Sequence, residues 1–117
     1  MHKDKNTKNT SNLENFLNTN SNWEVISPVS QKFLPSHEQL IREYKFSSDK
    51  DTYEFAYAIL VLSEEHNHHP TLIAEWHKVT LVWSTHSQKT VTELDIKLAK
   101  LSDDVYQKIE KGKLNDS

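Results

Sequence analysis

The stretch EEHNHHP, residues 64–70, places His66, His68 and His69 within four positions and closes on Pro70. Imidazole gains and loses a proton near neutral pH and is also the commonest metal ligand. Three kinds of site fit such a cluster: a metal centre, an acid–base centre, or a polar turn with solvated histidines. A metal centre needs three or four convergent donors. Adjacent side chains such as His68 and His69 point apart on an extended backbone, no His-Glu-x-x-His pattern is present, and the chain has no cysteine. An acid–base centre needs one imidazole to give a proton, one to take it, and a carboxylate to set the tautomer. Glu64, one helical turn before His68, is placed for that task, and STHS at 84–87 supplies a further imidazole, His86. His66 falls where a helix C-terminus attracts positive charge, whereas His2, His37 and His77 have no partner visible in the sequence. Composition alone leaves the three readings open.

The elements that must position these side chains follow from periodicity. NWEVI (22–26) alternates briefly before Ser27-Pro28 and predicts an edge strand, and residues 28–38, with two prolines, form a connection. QLIREYKF (39–46) alternates cleanly, with Leu40, Arg42, Tyr44 and Phe46 on one side and Ile41, Glu43 and Lys45 on the other. From Ser48 the period changes to that of a helix. Ser48 and Asp51 have capping-box spacing, Ala56, Ile59, Leu60 and Ser63 with Tyr53 define its inner face, and Pro70 predicts its end near Asn67. TLIAEW (71–76) and KVTLVWSTH (78–86) form a hairpin across His77-Lys78. In the second strand Val79, Leu81, Trp83 and Thr85 share one face, while Thr80, Val82, Ser84 and His86 share the other. Apolar residues on both faces imply that both are covered, one by helices and one by another subunit. A last helix starts after Thr92, with Asp95 at capping-box spacing, and carries Leu94, Leu98, Leu101, Val105 and Ile109. The order predicts an α+β fold, a two-layer β-β-α-β-β-α arrangement in which a four-stranded antiparallel sheet has helices packed on one face.

A chain of 117 residues holds one domain. Residues 1–22 carry only Met1, Leu13, Phe16 and Leu17 as apolar side chains, so they read as a disordered polar tail. Residues 23–112 are the single domain, and 113–117, after Gly112, a frayed end. A net charge of −3 with interleaved signs gives no basic stripe, which argues against a nucleic-acid partner. The longest apolar run, AYAILVL (56–62), is far short of the roughly 20 residues a membrane span needs. No targeting segment is evident, since Asp4 and Glu14 interrupt the N-terminus. The absence of cysteine removes disulfides and thiolate chemistry. A cytoplasmic protein is the expectation.

Spacing separates the three readings. Glu64-xxx-His68-His69-Pro70, Trp76 after five intervening residues, His86 after nine more and Asp95 after eight more resemble the signature of the pterin-4a-carbinolamine dehydratases. The resemblance runs from Ile41 to Val105 and is carried most specifically by NHHP and STH. It implies the family's fold and activity: dehydration of 4a-hydroxytetrahydrobiopterin to quinonoid dihydropterin by histidine acid–base catalysis, without metal or cofactor, in the recycling of tetrahydrobiopterin. It implies His68, His69, His86 and Glu64 as catalytic residues. Asn67, His68, His69, Pro70, Ser84, Thr85, His86 and Ser87 would bind the pterin, with Trp76 and Asp95 in support. For Asp95, third in its helix, a capping role competes. The implied partners are the pterin, a second copy of the chain in a homodimer or homotetramer, and an aromatic amino acid hydroxylase coupled through the cofactor cycle. Three departures stand out: Thr90 where the family usually has Gly, Leu72 where many members have an aromatic, and a longer link than usual between Trp23 and Tyr44. The alternative of another class is a non-catalytic binding, assembly or coactivator protein of the same fold.

Overall fold

The computed structural model describes residues 12–27 and 38–116. Residues 1–11, all of the expected 28–38 connection except Glu38, and residue 117 lie outside the described residues. The elements are helix α1 (12–19), strands β1 (Glu24–Ile26) and β2 (Gln39–Lys45), helix α2 (Asp49–His66), strands β3 (Thr71–Glu75) and β4 (Lys78–Trp83), and helix α3 (Glu93–Asp116). Apart from α1, this is the order that periodicity predicts.

The four strands form one antiparallel sheet in the order β1-β2-β4-β3. Its register places Leu40 opposite Trp83, Arg42 opposite Leu81 and Tyr44 opposite Val79, and Leu72 lies opposite Leu81. Alternation then sends these residues to the face on which α2 and α3 pack, where Leu40, Tyr44, Val79, Leu81 and Trp83 are fully buried. Ile41, Thr80, Val82 and Ile73 fall on the opposite face. Leu72 is thus a partly buried core residue.

Two expectations about the chain ends are corrected. Residues 12–22 are not a disordered tail, because Leu13, Phe16 and Leu17 recur at helical spacing and dock one side of α1 on the core. Phe16 is only 3 % exposed and meets Trp23 with ring centroids 6.1 Å apart. The Asn20 amide closes α1 on the Phe16 carbonyl at 2.9 Å. At the other end, α3 continues through Gly112 to Asp116 instead of fraying at 113. A helical glycine costs only about 1 kcal/mol against alanine and does not by itself end a helix.

Helix α2 begins as its spacing predicts: the Ser48 hydroxyl accepts from the Asp51 amide at 3.1 Å. Its inner face is rotated from the expected one. Thr52, Phe55, Ile59 and Ser63 are buried, while Tyr53 and Leu60 are exposed alongside Tyr57 and Val61. Phe55 decides the rotation, since an aromatic ring is the largest apolar payload available. It packs at 4.5 Å from Tyr44, 5.3 Å from Phe46 and 6.0 Å from Tyr106.

Asp103 fastens α3 to the other half of the sheet. Its carboxylate accepts from Arg42 at 2.7 Å, from the Tyr44 hydroxyl at 2.6 Å and from Trp23 Nε1 at 3.0 Å. Arg42 lies over the Tyr44 ring at 4.2 Å. Burial, and then the adjacent Asp103 charge, push the Tyr44 phenol well above its ordinary range, with Arg42 opposing.

Candidate active site

The end of α2 aims the histidine stretch. Asn67 takes a left-handed conformation (φ 50°), its amide donates to the Glu64 carbonyl at 3.3 Å, and the His68 amide donates to the Ser63 carbonyl at 3.0 Å. This paired closure is the Schellman pattern, and asparagine tolerates the left-handed residue it requires. Asn67 therefore has a backbone role of its own, as the residue that turns the chain from α2 toward β3. On the last turn the His66 Nδ1–H donates to the Leu62 carbonyl at 3.1 Å, as its place near the helix dipole predicts.

Beyond the turn, His68 goes inward and His69 outward. His68 Nε2 lies 2.7 Å from Asp95 Oδ1, and the His68 side chain is 15 % exposed. Asp95 is fully buried, and its other oxygen, Oδ2, accepts from the Thr92 amide at 2.8 Å and from the Thr85 hydroxyl at 2.7 Å. The Thr85 and Thr92 hydroxyls are themselves 2.9 Å apart. The Asp95 carboxyl thus has hydrogen-bond partners on both oxygens. With Asp95 as the acceptor, Nε2 carries the proton of a neutral His68 and Nδ1 is the ring nitrogen without one. His69, more exposed, pairs through Nε2 with Glu64 Oε2 at 2.5 Å.

The strand end supplies the other half. After β4 the chain makes a tight loop in which the Thr85 amide donates to the Thr90 carbonyl (3.1 Å) and the Lys89 amide to the His86 carbonyl (3.2 Å). His86 and Ser87 are exposed on this loop, and Ser84 is half-buried before it. The left-handed residue is Lys89 (φ 55°), not Thr90. Thr90 instead bridges to Thr85 and donates its hydroxyl to Glu38 Oε1 at 2.9 Å, which accounts for a side chain at that position.

Glu64, His68, His69, Thr85 and Asp95 are thus brought to one end of the sheet, with His86 next to Thr85 in the chain. Trp76 is not. It stands 80 % exposed at the β3–β4 tip, the whole of β3 (roughly 16 Å at about 3.3 Å per residue) from the histidine stretch. There it stacks on His77 at 3.9 Å, and His77 Nε2 lies 3.2 Å from Asp49. Capping-box spacing predicted the Asp95–Thr92 contact, but nothing local to the sequence signalled the bond from Asp95 to His68, 27 positions away. Among the described residues no group of three or more His, Asp or Glu is arranged to hold a metal ion.

The family model described as pterin 4 alpha carbinolamine dehydratase matches residues 7–105. The chain belongs to that family. A bacterial relative from Hahella chejuensis, provisionally named a pterin-4-alpha-carbinolamine dehydratase, is 38 % identical over 69 residues, 59 % of this chain. That match spans 62 % of the Hahella protein's length. A similarly named relative from Photobacterium profundum is 37 % identical over 91 residues, covering 78 % of this chain and 76 % of its own. The crystal structure of a transcriptional coactivator/pterin dehydratase from Brucella melitensis superposes with a TM-score of 0.69 at 25 % identity, over 81 % of this chain and 93 % of that one. A pterin dehydratase-like protein identified as a RuBisCO assembly factor in the alpha-carboxysome shares the fold, with a TM-score of 0.54 at 20 % identity over 70 % of this dehydratase-family chain and 95 % of its own. No helix among the described residues is long and apolar enough to cross a membrane.

Proposed function

We propose that this chain dehydrates 4a-hydroxytetrahydrobiopterin to quinonoid dihydropterin by proton transfer between histidines. The observation that carries the reading is the shared buried carboxylate: Asp95 binds His68 of the first motif and Thr85 of the second, joining both at one point. The chemistry suits such a site. The 4a-hydroxyl leaves poorly as hydroxide and well as water, so one protonated imidazole donates to it while a neutral one takes the N5 proton. Each transfer contributes typically about 10²–10⁴-fold. His68, with Nε2 held by Asp95, and His86 are the leading pair. His69, paired with Glu64, shares or orients the transfers, and Asn67, Pro70, Ser84, Thr85 and Ser87 complete the pterin site.

Spectrophotometric decay of the 4a-hydroxypterin tests this, with His68→Ala and His86→Ala each expected to lower turnover by about two orders of magnitude or more. Near wild-type turnover in both folded variants would remove the assignment. Pterin binding without turnover in the wild type would instead place the chain with non-catalytic relatives of its fold. A role in tetrahydrobiopterin recycling beside an aromatic amino acid hydroxylase, and a cytoplasmic location, go with the proposed activity. A homodimer or homotetramer is part of the same proposal. It is supported by the exposed apolar residues of α2 and by Ile73 on edge strand β3, and light scattering at 13.7 kDa would defeat it.

A further inference from the structure

Trp83, beside the candidate site, is assigned by neither motif nor resemblance. It is the last residue of β4, fully buried, and its ring lies nearly parallel to that of His68, 11° between planes and 6.0 Å between centroids. His68 is thus restrained in two independent directions. The bond to Asp95 fixes where Nε2 points within the ring plane, and the indole limits tilt out of that plane. A single hydrogen bond leaves an imidazole free to rock about it, whereas a hydrogen bond and a stack together define an orientation. The platform is itself firm, because its residue pairs with Leu40 in the middle of the sheet. What the indole supplies there is a broad, flat face.

We infer that Trp83 is a positioning residue for His68, holding the imidazole plane in which Nδ1 meets the substrate. The inference rests on the reading of His68 as a proton-transfer group. Trp83→Phe keeps a flat ring and Trp83→Leu keeps bulk without one. The leucine variant should lose roughly ten- to a hundredfold in kcat, the scale of a misaimed catalytic group, with KM changed little. The phenylalanine variant should recover most of that loss.

A second readout does not depend on activity. Imidazolium quenches a stacked indole more than neutral imidazole does, so Trp83 emission should fall as His68 protonates. In a His77→Gln background, which removes the separate Trp76–His77 stack, this pH-dependent step should vanish in Trp83→Phe and in His68→Gln alike. A step that survives either substitution, or a leucine variant with wild-type kcat while His68→Gln is inactive, overturns the inference. Full activity in His68→Gln with the emission step lost would overturn the acid–base reading instead, while leaving the contact established.

Discussion

Replacing Asp95 by asparagine changes the fewest atoms and should have the largest consequence. The carboxylate accepts from Thr92 N–H at 2.8 Å, Thr85 O–H at 2.7 Å and His68 Nε2–H at 2.7 Å, with the Thr92 hydroxyl farther off at 3.2 Å. An amide keeps one acceptor and turns the other oxygen into a donor. The backbone N–H of Thr92 cannot turn away, whereas the Thr85 hydroxyl can rotate and an imidazole can move its proton. The amide oxygen should therefore face Thr92, and the amide nitrogen should donate to His68 Nε2. That drives the His68 proton onto Nδ1, the nitrogen proposed to act on substrate. Losing one general acid or base costs about 10²–10⁴-fold, or roughly 3–5 kcal/mol of barrier. Exchanging charge-assisted hydrogen bonds for neutral ones costs about 1–3 kcal/mol of stability as well, so the folded fraction must be checked. Steady-state assay of 4a-hydroxypterin decay gives kcat, and ring nitrogen chemical shifts of His68 give the tautomer. Asp103→Asn, which loses comparable hydrogen bonds away from the site, controls for destabilisation. An Asp95→Asn variant with more than a third of wild-type kcat and an intact Nε2–H would refute the reasoning.

Phe16→Ala should cost about 3 kcal/mol by emptying the contact with Trp23; since 1 kcal/mol is worth about 4–8 °C in a domain of this size, thermal melting should fall by more than about 10 °C. An unchanged melt would mean that α1 is held by something other than Phe16. Lys89→Gly should raise stability by about 0.5–1 kcal/mol, because lysine at φ 55° is strained and glycine is not; chemical denaturation checks this. Tyr44 keeps its proton in the fold while the unfolded chain loses it near the ordinary phenol value of 10.0, so the stability tied to that group is complete below this pH and drains away above it. Tyr106, also raised by burial, acts in the same direction. Tyr44→Phe should therefore show a flatter loss of stability than wild type above about pH 10 in denaturant titrations, and parallel curves would count against it.

Periodicity carried most of the fold because each signal was local. The alternation of Leu40, Arg42, Tyr44 and Phe46, the Ser48 cap and Pro70 after the left-handed Asn67 all act within a few residues of themselves. Misreadings arose where distant partners decided. The polar composition of residues 12–22 hid a three-residue apolar edge that is worth little until Trp23 offers it a surface. The inner face of α2 turned on Phe55, whose partners are Tyr44 of β2, Phe46 just after it and Tyr106 of α3. The histidines and Glu64 stood out because type and spacing were unusual. Trp83 did not, since its place in an apolar alternation already explained it.

Asp95 shows why a site can be half visible. At capping-box spacing from Thr92 it reads as a helix cap, and the cap is present: Oδ2 takes the Thr92 amide at 2.8 Å. The second oxygen does something no local pattern encodes. Because the start of α3 is brought beside the end of α2, Oδ1 reaches His68. One residue thus begins a helix and sets a tautomer, and each role needs the other's geometry. A side chain held at a helix start cannot drift, so His68 has a rigid partner, and rigidity is what keeps a general acid or base in reach. His69 and His86 differ: both are exposed, and His69 relies on Glu64, itself 76 % exposed. The fold thus holds His68 in the interior, while His69 and His86 lie at the surface. Truncating Asp95 should therefore disturb His68 together with Thr85 and the start of α3, whereas Glu64→Gln, acting through the exposed His69 pair, should have a smaller effect on kcat.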